Sequence, residues 1–149
     1  MATNYNPSIV TDGLVLCLDA ANTKSYSGSG TNWKDIKGHD ATLVNSPTYV
    51  PNSNSGYFDF DGSNDSATLP TLDIAGNELT FSVWNYGIEA KASSIIYLED
   101  SGNHRMLNVH LPWSSRGVYF DKGGNNYDRI FKVASNSEYQ GWHHWAFTA

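Results

Sequence analysis

Hydrophobic positions in this chain recur in short runs, separated by stretches rich in Gly, Asn, Asp and Ser. Val15–Asp19 opens the series. It is apolar from Leu14 to Leu18, the pattern of a strand covered on both faces. Ala41–Val44 and Tyr49–Val50 flank Pro47, and Tyr57–Asp61 alternates aromatic and acidic side chains before breaking at Asp61-Gly62. Ser66–Leu69 follows the four-residue stretch Gly62-Ser63-Asn64-Asp65, which reads as a hairpin turn. In Glu78–Tyr86, Leu79, Phe81 and Val83 fall on one face and Thr80, Ser82 and Trp84 on the other. Ser94–Glu99 comes next. In Arg105–Leu111, Leu107, Val109 and Leu111 alternate against Asn108 and His110 until Pro112 stops the run. Val118–Asp121, Ile130–Val133 and Trp142–Thr148 complete the set.

About ten strand candidates at this spacing, with no sustained helical period, predict an all-β chain folded as a two-sheet antiparallel sandwich. Residues 1–12 form an extended lead-in, and residues 22–40 a long loop anchored by Trp33 and Ile36. Phe58, Phe60, Phe81, Val83, Trp142 and Trp145 are the expected inter-sheet core. No internal repeat or second domain is visible, so residues 1–149 are expected to be one domain. Trp142–Thr148 reads as a core strand with nothing after it. The expectation is therefore a sheet edge that recruits a neighbouring chain, and an assembly rather than a free monomer.

Composition narrows the class. Charged residues are 16% against 40% hydrophobic, so surface polarity comes from Asn, Ser, Thr and Gly rather than from charge. The net charge of −6, without any Lys/Arg-rich stretch, argues against nucleic acid as a partner. The single cysteine, Cys17, allows no internal disulfide and reads as a small buried hydrophobe. There is no basic-then-apolar leader, and no apolar run approaches the roughly 20 residues of a membrane span, which predicts a soluble protein without a membrane partner.

Candidate chemistry is sparse. Asp61, Asn64 and Asp65 offer hard oxygen ligands at a turn, which suits calcium, although Asp and Asn capping their own backbone explains the same residues. No other cofactor is implied. His143 and His144 are adjacent in a strand, point to opposite faces and cannot share an ion. His110 is a groove candidate. Trp33, Trp84, Trp113, Tyr119, Tyr127 and Trp142 include candidates for a sugar platform, since carbohydrate stacks its apolar face on aromatic rings while Asp and Asn reach its hydroxyls. Trp113, in a loop after Pro112, is the leading exposed aromatic. Asn125, Asn126, Tyr127, Asp128 and Arg129 form a polar and aromatic cluster beside it.

Four segments carry a resemblance: Gly13–Ala20, Phe58–Asp65, Leu79–Trp84 and Gly141–Thr148. Together they resemble the laminin G-like branch of the concanavalin A-like lectin/glucanase jelly rolls. The segments Asn6–Leu14, Arg105–Trp113 and Gly117–Asp121 are similar to such domains in virion proteins of tailed bacteriophages, notably marine ones. The resemblance implies a jelly roll from which the last C-terminal strands are missing. It also implies a non-catalytic module on the capsid or tail exterior that contacts surface glycans or other virion chains. A purely structural subunit and a relic of a glycoside hydrolase or lyase are the alternatives. Related glucanases carry two Glu and an Asp at alternate positions of one strand, and no strand here has that pattern; Asp59 and Asp61 share a face but run into a turn. The expectation is no enzyme.

Overall fold

The computed structural model describes residues 9–51, 56–74, 78–123 and 129–149. The chain is almost entirely antiparallel β-structure and divides into two compact units, Met1–Leu72 and Asp73–Ala149.

In the first unit, β1 (Asn32–Trp33), β2 (Ala41–Val44) and β5 (Ser66–Thr68) form a three-stranded sheet in the order β1-β2-β5. A separate ribbon pairs β3 (Thr48–Val50) with β4 (Tyr57–Asp59). Asp61–Asp65 therefore does not close a hairpin: it carries the chain from the β3–β4 ribbon to the β2–β5 pair. Aromatic rings fill this unit. Phe58 lies 4.7 Å from both Tyr26 and Trp33, and Tyr49 lies 4.9 Å from Tyr26. Phe60, at the edge of the cluster, is exposed.

Leu14–Leu18 is extended and half-buried, not doubly covered, and has no ladder partner among the described residues. Side chains hold it instead. The buried Asp35 carboxylate accepts from Cys17 N at 2.6 Å, and from Lys37 N and His39 N through its other oxygen. His39 Nδ1 lies 3.0 Å from Val15 O. The acid thus anchors the loop, whereas the expected anchor Ile36 is exposed. Cys17 is half-buried; burial pushes its thiol pKa up, with Asp19 and Asp35 adding to the shift.

The second unit is a two-sheet sandwich. β6 (Thr80–Gly87) pairs along its whole length with β11 (Gly141–Thr148). β7 (Ile96–Glu99), β8 (Arg105–His110), β9 (Gly117–Lys122) and β10 (Arg129–Val133) form the facing sheet, in the order β10-β9-β8-β7. The core lies between them: Leu107, Val109, Leu111, Val118 and Phe120 from one sheet meet Phe81, Val83, Trp145 and Phe147 from the other. Phe120 is fully buried and stacks on Phe147 with ring centroids 5.2 Å apart and planes 4° apart. The alternation expected in β6 is found. Trp142 is not in the core; it projects outward from β11, exposed and opposite Tyr86.

One helical turn, α1 (Asn136–Tyr139), interrupts the β pattern that the sequence predicts throughout. Ser135-x-x-Glu138 builds it: Ser135 N and Oγ both donate to Glu138 Oε2 at 2.8 Å, a capping box. Lys132 Nζ also donates to Glu138. The turn passes the end of β6 so closely that a Cβ on Gly87 would lie 2.1 Å from Tyr139 O, so only glycine fits there.

Truncating Phe120 to Ala should cost about 3–5 kcal/mol, because it opens a cavity at the most enclosed point of the sandwich. Chemical denaturation of the variant checks this, and a midpoint equal to the parent's would contradict it. The hydrogen bond from Lys132, then those from Ser135, hold the Glu138 carboxyl well below its ordinary value, at about 2. Because the folded value is depressed, the cap's contribution is present above the usual carboxylate range and is lost as pH falls toward 2. A carboxyl-detected NMR titration should place the Glu138 midpoint far below the ordinary carboxylate range; a midpoint within that range would refute the cap.

Candidate functional site

The outward face of the β7–β10 sheet carries a connected array of polar and aromatic side chains. Strand alternation turns Leu107 and Val109 into the core and Asn108 and His110 outward, yet both outward side chains are buried. Register sets two cross-strand rows. Tyr97, Asn108, Asp121 and Arg129 lie side by side in one, and His110, Tyr119 and Phe131 in the next.

His110 organises the second row. Its Nδ1–H donates to Ser93 O at 2.7 Å and its Nε2 accepts from Asn108 Nδ2 at 3.2 Å, the assignment that satisfies both nitrogens. Trp113 packs against the His110 ring at 4.6 Å, and Tyr119 lies edge-on at 5.8 Å. Tyr119 in turn stacks on the exposed Phe131 at 4.8 Å. Gly117 allows this: a Cβ there would come within 2.5 Å of the Tyr119 ring.

Asp121 organises the first row. It is 2% exposed and accepts both Nε and Nη2 of Arg129, at 2.6 and 2.7 Å, while Arg105 Nη1 lies 3.5 Å away. Donating to Asp121 raises the Arg129 pKa further, and the guanidinium carbon stands 4.7 Å over the Tyr119 ring. Tyr97, half exposed, donates its hydroxyl to Glu99, and that bond raises the phenol pKa. Two buried polar atoms in this fabric have no partner among the described residues: Arg105 Nε, a donor, and Asn108 Oδ1, an acceptor. An unpaired buried acceptor costs free energy, and a donor on a bound molecule would relieve it.

Residues 61–149, which include the whole sandwich, match the Laminin_G_3 family of the concanavalin A-like lectin/glucanases superfamily. The chain belongs to that family. Searches among curated proteins and among solved structures return no match. The all-β antiparallel fold is the one expected of a concanavalin A-like jelly roll.

Within this concanavalin A-like chain, the expected sugar residues fare unequally. Trp113 does lie in the loop after Pro112, which Trp113 N closes by donating to Gly117 O at 2.8 Å. It is half-buried against His110 rather than freely exposed. Arg129 lies in β10, with its guanidinium committed to Asp121. Tyr119 links the two, so Trp113 and Arg129 belong to one face. Asn125, Asn126, Tyr127 and Asp128 lie outside the described residues. Asn108, Asp121, Tyr97 and Phe131 escaped the sequence reading. Alternation already puts Asn108 beside His110, but only strand register brings Asp121 and Phe131 to them.

Asp61, Asn64 and Asp65 are in the other unit. Asp61 Oδ1 accepts from the backbone N–H of Ser63, Asn64 and Asp65 at 2.8–3.3 Å, and Asp65 Oδ2 accepts from Asp61 N. These carboxylates close the loop on its own backbone. Among the described residues no group of three or more His, Cys, Asp or Glu side chains is placed to hold a metal ion. His143 faces inward and His144 outward, bonded to Gln140 O and Ser82 Oγ respectively.

Replacing Asp121 with Asn should destabilise the sandwich by about 3 kcal/mol, since it strips two guanidinium groups of a buried counter-ion. Urea titration measures the loss. A change below roughly 0.5 kcal/mol would show that the pair behaves like an ordinary surface ion pair.

Proposed function

We propose that the chain is a non-catalytic carbohydrate-binding module, displayed on a virion, and that the outward face of β7–β10 receives the sugar. One observation carries the reading: the unpaired, buried Asn108 Oδ1 lies beside an aromatic row that runs from Trp113 through His110 and Tyr119 to Phe131. Rings that stack on the apolar face of a sugar, next to fixed polar groups that meet its hydroxyls, suit a neutral polyol ligand. Membership of a lectin and glucanase superfamily supports the same ligand class.

The carboxylates of this face support binding over hydrolysis. A retaining glycosidase needs two carboxyl groups about 5–5.5 Å apart, one of them able to deliver a proton. Here Asp121 spends both oxygens on Arg129, and Glu99 accepts the Tyr97 hydroxyl. The virion setting rests on the likeness of the Asn6–Leu14, Arg105–Trp113 and Gly117–Asp121 segments to domains of tailed bacteriophages. In that setting the partners are host-surface glycans and neighbouring virion chains.

Glycan-array binding followed by calorimetry tests the proposal. The parent should bind a bacterial surface glycan without releasing reducing ends. Phe131→Ala should weaken binding by about 3–10-fold, the worth of one stacked ring. Absence of binding across the array, turnover of the bound glycan, or an unchanged affinity in the Phe131 variant would each overturn it.

A further inference from the structure

The two edges of the four-stranded sheet are built differently. At β7 the pairing with β8 shifts register between Leu98 and Glu99, an irregularity of the kind that blunts an edge. β10 pairs with β9 in unbroken register from Arg129 to Val133, and has no ladder partner on its other side among the described residues. All five of its residues are exposed, including Ile130, Phe131 and Val133 at 45%, 52% and 54%. Its two cations do not guard it. Arg129 is committed to Asp121 and Lys132 to Glu138, so neither stands free at the edge as the lysines that block strand addition do.

Register shows which backbone groups face outward. Ala134 N donates to Arg116 O at 2.9 Å, so residues 134 and 116 are a hydrogen-bonded pair, and by alternation so are Lys132 with Val118 and Ile130 with Phe120. The other side of β9 agrees. Gly123 N donates to Met106 O, which directs the backbone groups of Asp121 and Tyr119 toward β8 and leaves those of Phe120 and Val118 for β10. The N–H and C=O groups of Arg129, Phe131 and Val133 therefore point away from β9, toward the free edge.

We propose that β10 is a dimerisation edge, which joins two copies of the chain across a two-fold axis at Phe131 into one continuous antiparallel sheet. The residues with free backbone groups are spaced symmetrically about Phe131, so the edge is complementary to itself. Phe131 pairs with its own copy, and Arg129 pairs with Val133 of the second copy, each pair exchanging both of its backbone hydrogen bonds. Ile130 then faces Lys132 of the second copy, so no like charges stand opposite each other. The same register sets the two Phe131 rings side by side and covers Val133 with the aliphatic stem of Arg129. Any extended strand can meet the backbone groups of an open edge. The placement of the apolar and cationic positions about one central residue is what selects a second copy. The inference concerns assembly and does not rest on the sugar reading of the β7–β10 face.

Sedimentation velocity over a dilution series, without any glycan, tests the edge. The parent should form a dimer that dissociates on dilution. Val133→Pro removes one edge N–H and no bond to β9, and should weaken self-association about tenfold or more. Val133→Thr, which keeps that N–H and the branched shape, should leave the dimer intact. Ile130→Lys leaves every backbone bond in place, so it serves even where the proline variant does not fold. It sets Lys opposite Lys across the axis and should weaken the dimer, whereas Ile130→Glu, facing the same Lys132, should weaken it less. Hydrogen exchange reads the geometry directly. The amides of Phe131 and Val133 should exchange more slowly in the dimer than on dilution, while those of Ile130 and Lys132, already bonded to β9, should change less. A parent that stays monomeric, a dimer indifferent to both Val133→Pro and Ile130→Lys, or equal exchange at Phe131 and Val133 in the two states would overturn the inference.

Discussion

The stacked contact between Phe120 of β9 and Phe147 of β11 is the constraint on which the second unit depends. The two rings are nearly coplanar in orientation, 4° apart, and they join the two sheets at a point from which solvent is excluded. Phe120 belongs to the four-stranded sheet and Phe147 to the ribbon, so this contact sets which face of each sheet turns inward. Strand side chains alternate strictly, so choosing the inward face also chooses the outward one. Both outward faces are therefore by-products of a single packing decision. A slip of one residue in β9 would take Phe120 out of the core and put Tyr119 and Asp121 into it.

The two outward faces solve different problems. On β7–β10, two arginines, an aspartate, a histidine and an asparagine are tied together, and the side chains are held before any ligand arrives. Preorganisation of this kind lowers the ordering cost of binding. On the ribbon of β6 and β11 the exposed rings meet cross-strand neighbours, Tyr86 with Trp142 and Trp84 with His144. The ribbon offers area and flatness rather than fixed hydrogen-bond geometry.

The first unit depends on a buried carboxylate rather than on a ladder. Asp35 draws in the N–H groups of Cys17, Lys37 and His39, and so fastens an extended segment that has no ladder partner among the described residues. Such an acid satisfies backbone donors that would otherwise be left unpaired on burial.

Local alternation is written in the chain. It placed Leu79, Phe81 and Val83 on one side of β6, separated His143 from His144, and set Leu107, Val109 and Leu111 against Asn108 and His110. The capping pair Ser135 and Glu138 was equally legible as a helix-start signature, although the surrounding β pattern hid it. What periodicity could not reveal is which strand lies beside which. The apolar run at Leu14–Leu18 has the composition of a covered strand, yet Asp35, seventeen residues beyond Leu18, holds it by side-chain contacts instead. Phe60 and Trp142 are as hydrophobic as their buried neighbours, but Phe60 lies at the exposed edge of its aromatic cluster and Trp142 stands on the face of β11 opposite to Trp145 and Phe147. The row of Tyr97, Asn108, Asp121 and Arg129 exists only once four strands align in register. Inward and outward follow from backbone geometry within one strand, whereas adjacency is set by long-range pairing that no local window contains.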